Sequence, residues 1–368
     1  MIERGVYRNV GDPVATAAAI AQRVVFMMRG KTTLLWYVAV LVVIFVPPAG
    51  AQTTVGQTKV SIIHFVSGLS GIPLWIAHEY ELFAKQGIDA LSLVDQTGGV
   101  SRRITGDIPF GVLGIPAVIQ AVAEGRHLKV LVSLQSARAD SELVARPDVK
   151  TPEDLRGKRV GFTRVGTGFW IYAILALEHL GLDPQRDRIS LVEVGGDLPR
   201  LVQALEAGEI DAAVLDPAQS TQLKAKGFSL LLDMYPANIS AVQNALVVAG
   251  PYLREHPDIV EKVVAGLVEG IAFSLSPAKK ETVLKTLMAH LNISDPTAAE
   301  RGYESFLSRV NRRPYASISA IQNMQRVMAL NDPKVLNVKV EDLVEDRFVR
   351  RLDESGVIDR FYSIYGVR

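Results

Sequence analysis

Gly106-Asp107-Ile108-Pro109-Phe110-Gly111-Val112-Leu113 is answered 102 residues later by Gly208-Glu209-Ile210-Asp211-Ala212-Ala213-Val214-Leu215. Each copy follows an amphipathic stretch and precedes a Pro-containing turn, Gly114-Ile115-Pro116 in one and Asp216-Pro217 in the other. The opening Gly ends a helix in the left-handed region, and the short apolar run behind it returns to a sheet. A second unit recurs in the same order. Lys59 to Phe65 reads as a buried strand, followed by the small-residue loop Ser67-Gly68-Leu69-Ser70-Gly71. Ile72-Pro73 then opens a helix with Ile72, Ile76, Tyr80 and Phe83 on one stripe. Lys158 to Phe162, the loop Arg164-Val165-Gly166-Thr167-Gly168 and a helix from Phe169 to Leu180 repeat that plan, with a strand at Ile189 to Val194 after it. Two recurring units predict an α/β protein of two similar Rossmann-like lobes rather than one large sheet.

Leu143-Val144-Ala145 and Ala245 to Ala249 bracket the second half and read as crossings between lobes. This places lobe 1 at residues 58–143 and 247–368 and lobe 2 at 144–246. Beyond Gly250 the pattern is helical: Ile259 to Leu275, Lys279 to Leu291, Pro296 to Val310, Ser317 to Leu330 and Val340 to Ser355.

The amino-terminal stretch carries its own signal. Arg29 and Lys31 precede 13 apolar residues, Leu34 to Val46, and Ala49-Gly50-Ala51 follows two prolines. A basic start, a short apolar run and an A-x-A site describe a cleavable secretory leader over residues 1–51, and the run is short of the roughly 20 residues a membrane span needs. Met27 and Met28, directly before Arg29, offer an alternative start. Export to the periplasm is the expectation. The chain of 368 residues has a formal charge of +1, and removing residues 1–51 takes away five basic and two acidic side chains to leave −2. Neither balance favours nucleic acid as a partner. With no Cys, thiol nucleophiles and thiolate metal sites are excluded.

Candidate chemistry collects at the strand ends. Ser67 to Ile72 and Arg164 to Phe169 are loops opening helices, where free N–H groups and the positive helix end suit an anionic or zwitterionic ligand. The same glycines and serines also make plain tight turns. Arg164 is a candidate for a two-pronged bond to a carboxylate, sulfonate or phosphate, or a solvated surface side chain. Asp216 either accepts from a ligand amine or begins a turn by bonding its own backbone. Phe65, Trp75, Phe169 and Trp170 are candidates for stacking on a ring, although aromatics at helical spacing are usually core. The six His residues show no metal spacing, no G-x-S-x-G elbow or phosphate-loop pattern occurs, and no cofactor is called for. Gly166-Thr167-Gly168, with Glu193 25 residues on, imitates a dinucleotide fingerprint, but Ile171 replaces its third Gly.

Gly71-Ile72-Pro73-Leu74-Trp75-Ile76-Ala77, Leu82 to Ile88, Thr151 to Gly161 and Ala204 to Pro217 carry a family resemblance. The chain resembles the substrate-binding subunits of ABC transporters for nitrate, sulfonates, taurine and pyrimidine precursors, over residues 58 to 360. The resemblance implies a Venus-flytrap architecture (periplasmic binding protein type 2) and a monomer that delivers its small-molecule ligand to a permease in the inner membrane. Its ligand loops correspond to Ser67–Ile72, Gly111 to Gly114, Arg164–Phe169 and Asp216. Pro109 stands where the family usually carries Asp. The alternatives are a subunit feeding a sensor or chemoreceptor, and a pyrimidine-precursor synthase; that enzyme branch relies on a cysteine-rich motif absent here.

Overall fold

The computed structural model describes residues 57–64, 68–95 and 99–368. The leader, with its cleavage after Ala51, and the candidates Phe65 and Ser67 lie outside them.

Among the described residues, ten strands form two sheets of five. The first holds β1 (Thr58–His64), β2 (Ile88–Val94), β3 (Phe110–Gly114), β4 (Leu128–Ser133) and, returning late in the chain, β10 (Asn244–Ala249). Their order is β2-β1-β3-β10-β4. The second holds β5 (Glu142–Ala145), β6 (Arg159–Phe162), β7 (Ser190–Glu193), β8 (Ala212–Leu215) and β9 (Ser229–Asp233), ordered β7-β6-β8-β5-β9. In each sheet three parallel strands meet one antiparallel strand, β10 or β5, in the fourth place. The repeat seen in the sequence therefore extends across whole sheets. β2 and β7 start 102 residues apart (190 − 88), as do β3 and β8 (212 − 110), while β4 and β9 start 101 apart (229 − 128).

Helices α1 (Ile72–Glu79), α2 (Leu82–Lys85), α3 (Val100–Arg103), α4 (Ile115–Ala123), α5 (Gly168–His179), α6 (Leu198–Glu206) and α7 (Pro217–Ala225) lie between strands. After β10 come α8 (Gly250–Glu255), α9 (Pro257–Ser274), α10 (Lys280–Leu291), α11 (Pro296–Arg309), α12 (Ile318–Met328), α13 (Val340–Leu343), α14 (Arg347–Glu354) and α15 (Val357–Ile364). Layers on the sheet faces explain why β5 and β8 are buried at every position and why β8, and β5 after its buried Glu142, read as apolar runs.

Three expectations are corrected. Leu143–Ala145 and Ala245–Ala249 are not crossings but the antiparallel strands β5 and β10; the crossings precede them, at 134–141 and 234–243. The helix expected from Ile72 through Phe83 breaks at Glu81, which takes a left-handed φ of 55°. The helix expected from Val340 to Ser355 is split because Val344 bridges Val130 of β4, and the Glu345 N–H donates to the Val130 carbonyl at 2.8 Å. A strand contact thus overrides helical periodicity.

The crossings run side by side. Ala139 N–H donates to the Ile239 carbonyl at 2.8 Å and Ala241 N–H to the Ala137 carbonyl at 3.2 Å. α12 lies against both halves, touching α4 and α5. Its Arg326 forks onto Glu178 of α5 at 2.6 and 3.1 Å, and Asn323 Nδ2 donates to the Ser240 carbonyl at 2.8 Å. Met324 Sδ accepts from the Val242 N–H at 3.3 Å.

α9 is buried along most of its 18 residues and presses on α1. Gly270 permits that approach: a Cβ there would stand 2.5 Å from the Pro73 carbonyl oxygen, a backbone atom with nowhere to go. Gly270→Ala should gain about 1 kcal/mol of helix propensity but lose more to overpacking, which typically costs 1–3 kcal/mol. The expected result is a lower melting temperature in a calorimetric scan; an unchanged or raised one would contradict this packing.

Candidate functional site

The carboxyl ends of the parallel strands β1, β3, β6 and β8 lead into the predicted loops, the position where open α/β sheets bind ligands. The structure treats the candidates differently. Ile72 is fully buried in the core, and its N–H closes the turn Leu69–Gly71 onto the Leu69 carbonyl. Gly71 is buried too, its N–H bound to the Gly68 carbonyl at 3.0 Å. Gly111 is likewise a packing residue, since a Cβ there would sit 2.5 Å from Ile104 Cδ1. Trp75 stacks on His290 with centroids 4.3 Å apart, Trp170 is core, and Phe169 packs against the larger core cluster. Ile72, Trp170 and Phe169 share one cause, since a helix that opens at a strand end turns its first apolar side chains inward.

In the second loop Gly166 takes φ 81°, the left-handed turn that reverses the chain. Thr167 caps α5: its Oγ1 accepts from the Trp170 N–H at 3.5 Å and donates to the Arg164 carbonyl at 2.7 Å. The Val165 N–H donates to Glu193 Oε2 at 3.1 Å, so the acid that imitates a ribose ligand is spent on the loop itself. A Cβ on Gly168 would meet nothing within 4 Å, which leaves the first turn of α5 approachable. The Arg164 side chain is exposed.

Ser70, Gly114, Gly68 and Asp216 do converge with the crossings. Asn244 Nδ2 donates to Ser70 Oγ at 2.9 Å, and a Cβ on Gly114 would lie 3.6 Å from the Gln243 carbonyl and 3.9 Å from Asn244 Oδ1. Gln243 Oε1 accepts from Gln135 Nε2 at 3.2 Å, and that nitrogen also reaches Asp140 Oδ2 at 2.5 Å. A Cβ on Gly68, in the first half, would stand 3.8 Å from Asp216 Oδ2, in the second. Asp216 follows β8 and begins the helix α7 rather than the free turn expected there.

This seam holds polar atoms that the protein leaves unsatisfied. Buried and without a hydrogen-bond partner are Gln135 Oε1, Ser136 Oγ, Asp140 Oδ1, Ser141 Oγ, Tyr172 OH and Arg309 Nε. Buried polar groups are nearly always paired, and each orphan costs on the order of 1–3 kcal/mol. Burial lifts the Asp216 carboxyl to about 7, with the neighbouring Asp140 adding to the rise. Asp140 is raised for the same first reason, and the Tyr172 hydroxyl is pushed well up by burial and by both carboxyls. Sequence reading missed Gln135, Asp140, Ser141, Tyr172 and Arg309. The polar run Gln135-Ser136 and Asp140-Ser141 between two apolar strands was the available signal for the crossing; nothing in the sequence marks Tyr172 or Arg309.

The pattern of the family described as NMT1/THI5 like matches residues 70–280, more than half of the chain. The chain belongs to the NMT1/THI5-like family. Among curated proteins it is 24% identical over 205 residues to the taurine-binding periplasmic protein of Escherichia coli, covering 54% of this chain and 62% of that one. The chain thus spans less than two thirds of that relative's length. Among solved structures, the periplasmic aliphatic sulphonate binding protein of Escherichia coli superposes with TM-score 0.63 at 16% identity, covering 78% of this chain and 92% of the other. The ligand-binding component of an ABC-type import system from Staphylococcus aureus gives 0.62 at 12%, with 80% and 98% covered. A desulfurization enzyme gives 0.58 at 17%, with 81% and 99% covered. This NMT1/THI5-like protein has the periplasmic binding protein fold, a frame that serves binding proteins and at least one enzyme.

Because its carboxyl holds a proton more tightly when folded than the roughly 3.9 of an unfolded Asp, Asp216 costs the protein stability as pH rises from about 4 to about 7. Asp216→Asn should remove that cost. At pH 8 the variant is expected to be more stable by on the order of 2–4 kcal/mol in urea unfolding, and little different at pH 4. A variant that is less stable than its parent at pH 8 would show that the carboxylate has a partner.

Proposed function

We propose that this NMT1/THI5-like protein is an exported solute-binding protein that captures a small organic zwitterion or anion between two lobes and delivers it to an ABC permease. The lobes are taken as the two sheets with their helices, divided at the crossings 134–141 and 234–243 rather than at 143/144 and 246/247. What carries the reading is the set of buried, unpartnered polar atoms on the crossings and on facing elements of both halves. A guest that satisfied them would recover the cost of leaving them unpaired, and only where both halves close on it.

The chemistry suits binding rather than turnover. Arg309 and the open first turn of α5 offer donors to an anionic end, and the carboxyls of Asp140 and Asp216 offer acceptors to the other. Among the described residues no group of His, Asp and Glu is arranged to hold a metal. Likeness to taurine- and sulphonate-binding proteins supports a ligand of that size, and a fold neighbour that is part of an ABC-type import system supports the permease partner. Likeness to periplasmic proteins supports export, with Ala51 as the expected last residue of the leader.

Closure follows if the guest touches both lobes, because only the closed form gains both sets of contacts. A true ligand at a hundredfold excess over its Kd should add about 2.7 kcal/mol of stability and raise the melting temperature by several degrees. It should also lower the radius of gyration in solution scattering, with no consumption of ligand over hours. A stabilising ligand that is converted to product, or that leaves the scattering curve unchanged, would overturn the receptor reading.

A further inference from the structure

Many cations of this protein are answered by carboxylates. Lys85 pairs with Glu269 at 2.8 Å, Arg159 with Asp211 at 2.8 Å, Arg200 with Glu209 at 2.7 Å and Arg351 with Glu261 at 2.6 Å. One group is not. Arg126, Lys129, Arg254 and Lys339 line a single recess of about 500 Å³, together with His127 and one acid, Asp342. Among the described residues none of these four cations makes an ion pair.

Two of the four are held in place, but by backbone. Arg126 Nη2 donates to the Ile104 carbonyl at 2.6 Å and Nη1 to the Arg102 carbonyl at 3.1 Å, while Lys129 Nζ donates to the Asp342 carbonyl. Carbonyl oxygens fix these cations without cancelling their charge. Arg254 and Lys339 are exposed, and no side-chain hydrogen bond engages either among the described residues. Four cations less the one acid, 4 − 1, leave +3 in a chain whose whole formal charge is +1. Concave, low-dielectric walls focus such a field.

Three distant pieces of chain build the recess: the end of α4 with the start of β4, the helix α8, and residues 337–343. They meet closely at Gly250, whose N–H donates to the His127 carbonyl at 2.7 Å and where a Cβ would stand 3.2 Å from that oxygen. β3 and β4 both run antiparallel to β10, so β4 is parallel to β1 and β3, and Ala249 at the end of β10 pairs with Leu128 at the start of β4. The recess therefore sits at the edge of the first sheet opposite the carboxyl ends that face the seam.

We propose that this recess is a second binding site, separate from the seam, for a group carrying two negative charges on phosphate oxygens. Two guanidinium forks and two ammonium groups suit an anion with several acceptor oxygens, and a lone carboxylate would leave most of the positive charge unmet. A recess of about 500 Å³ also has room for more than a single phosphate. A free diphosphate and the phosphomonoester headgroup of an anionic lipid share this chemistry. Leu336, 59% exposed, directly precedes Asn337 of the lining and gives an apolar neighbour of the phosphate a surface to rest on.

The test titrates the full chain with inorganic pyrophosphate by calorimetry, and spins it down with phosphatidylcholine vesicles made with or without phosphatidic acid. Arg254→Glu with Lys339→Glu is compared with Lys262→Glu and Lys285→Glu, an equal change of net charge on exposed lysines away from the recess. Each variant is first shown to be folded by its melting transition. Pyrophosphate should bind at low salt and weaken at least tenfold between about 0.01 M and about 1 M salt, as the Debye length shrinks from about 30 Å to about 3 Å. The recess pair should cost at least tenfold and the control pair little, while Asp342→Asn should tighten binding. Sedimentation with the phosphatidic acid vesicles alone, reversed by pyrophosphate, identifies the lipid source; pyrophosphate binding without sedimentation identifies a free one. Failure of both probes to bind, a control pair as damaging as the recess pair, or an Asp342→Asn variant that binds no more tightly overturns the proposal. None of these results touches the receptor reading, because the seam shares no residue with the recess.

Discussion

Two stretches of chain, 134–141 and 234–243, run antiparallel between the sheets and hydrogen-bond to each other. Everything else hangs on that ribbon. Each stretch delivers a strand to the sheet it enters, β5 to the second and β10 to the first, and each of these strands lies antiparallel in the fourth place of its sheet. The parallel strands on either side are then forced to present their carboxyl ends toward the ribbon. The loops after β1, β3, β6 and β8 inherit their positions from this arrangement.

The ribbon also explains where desolvation concentrates. Its backbone bonds to itself, so its polar side chains, Gln135, Asp140 and Ser141, are left to find partners in the seam. The Gln135 amide does, donating to Gln243 Oε1 and Asp140 Oδ2, while Gln135 Oε1, Asp140 Oδ1 and Ser141 Oγ stay unmet. In a close-packed core such unpaired groups are uncommon, and here they gather on one ribbon and the elements facing it. An acid held near neutrality by burial, as Asp216 is, belongs to the same economy of withheld solvation.

The α/β class, the two-sheet repeat and most helices were legible in the sequence because they rest on local periodicity and on Gly and Pro at element ends. The Gly106/Gly208 register extended to β2 and β7, and to β3 and β8, without adjustment. The antiparallel strands were misread as linkers, since a short apolar run such as Leu143–Ala145 carries no mark of direction or of which sheet it joins. Of the candidate site, Asp216 and Gly68 were legible as residues at strand ends, while Ile72 and Gly111 proved to serve packing. Tyr172 and Arg309 were invisible: one looks like any aromatic on a buried helix, the other like any basic residue near a helix end. Their relevance comes from neighbours brought together only by the fold: Tyr172 lies near Asp140 and Asp216, and Arg309 bonds the Asp140 carbonyl 169 residues away.

α12 sits behind the ribbon with one face on α4 and the other on α5, tied to Glu178 by Arg326 and to the second crossing by Asn323 and Met324. A pair of bare strands would bend in any direction at little cost. A three-turn wedge clamped at the spine stiffens that joint: any swing that parts the α4 side from the α5 side must also slide the wedge or break the Arg326–Glu178 ion pair.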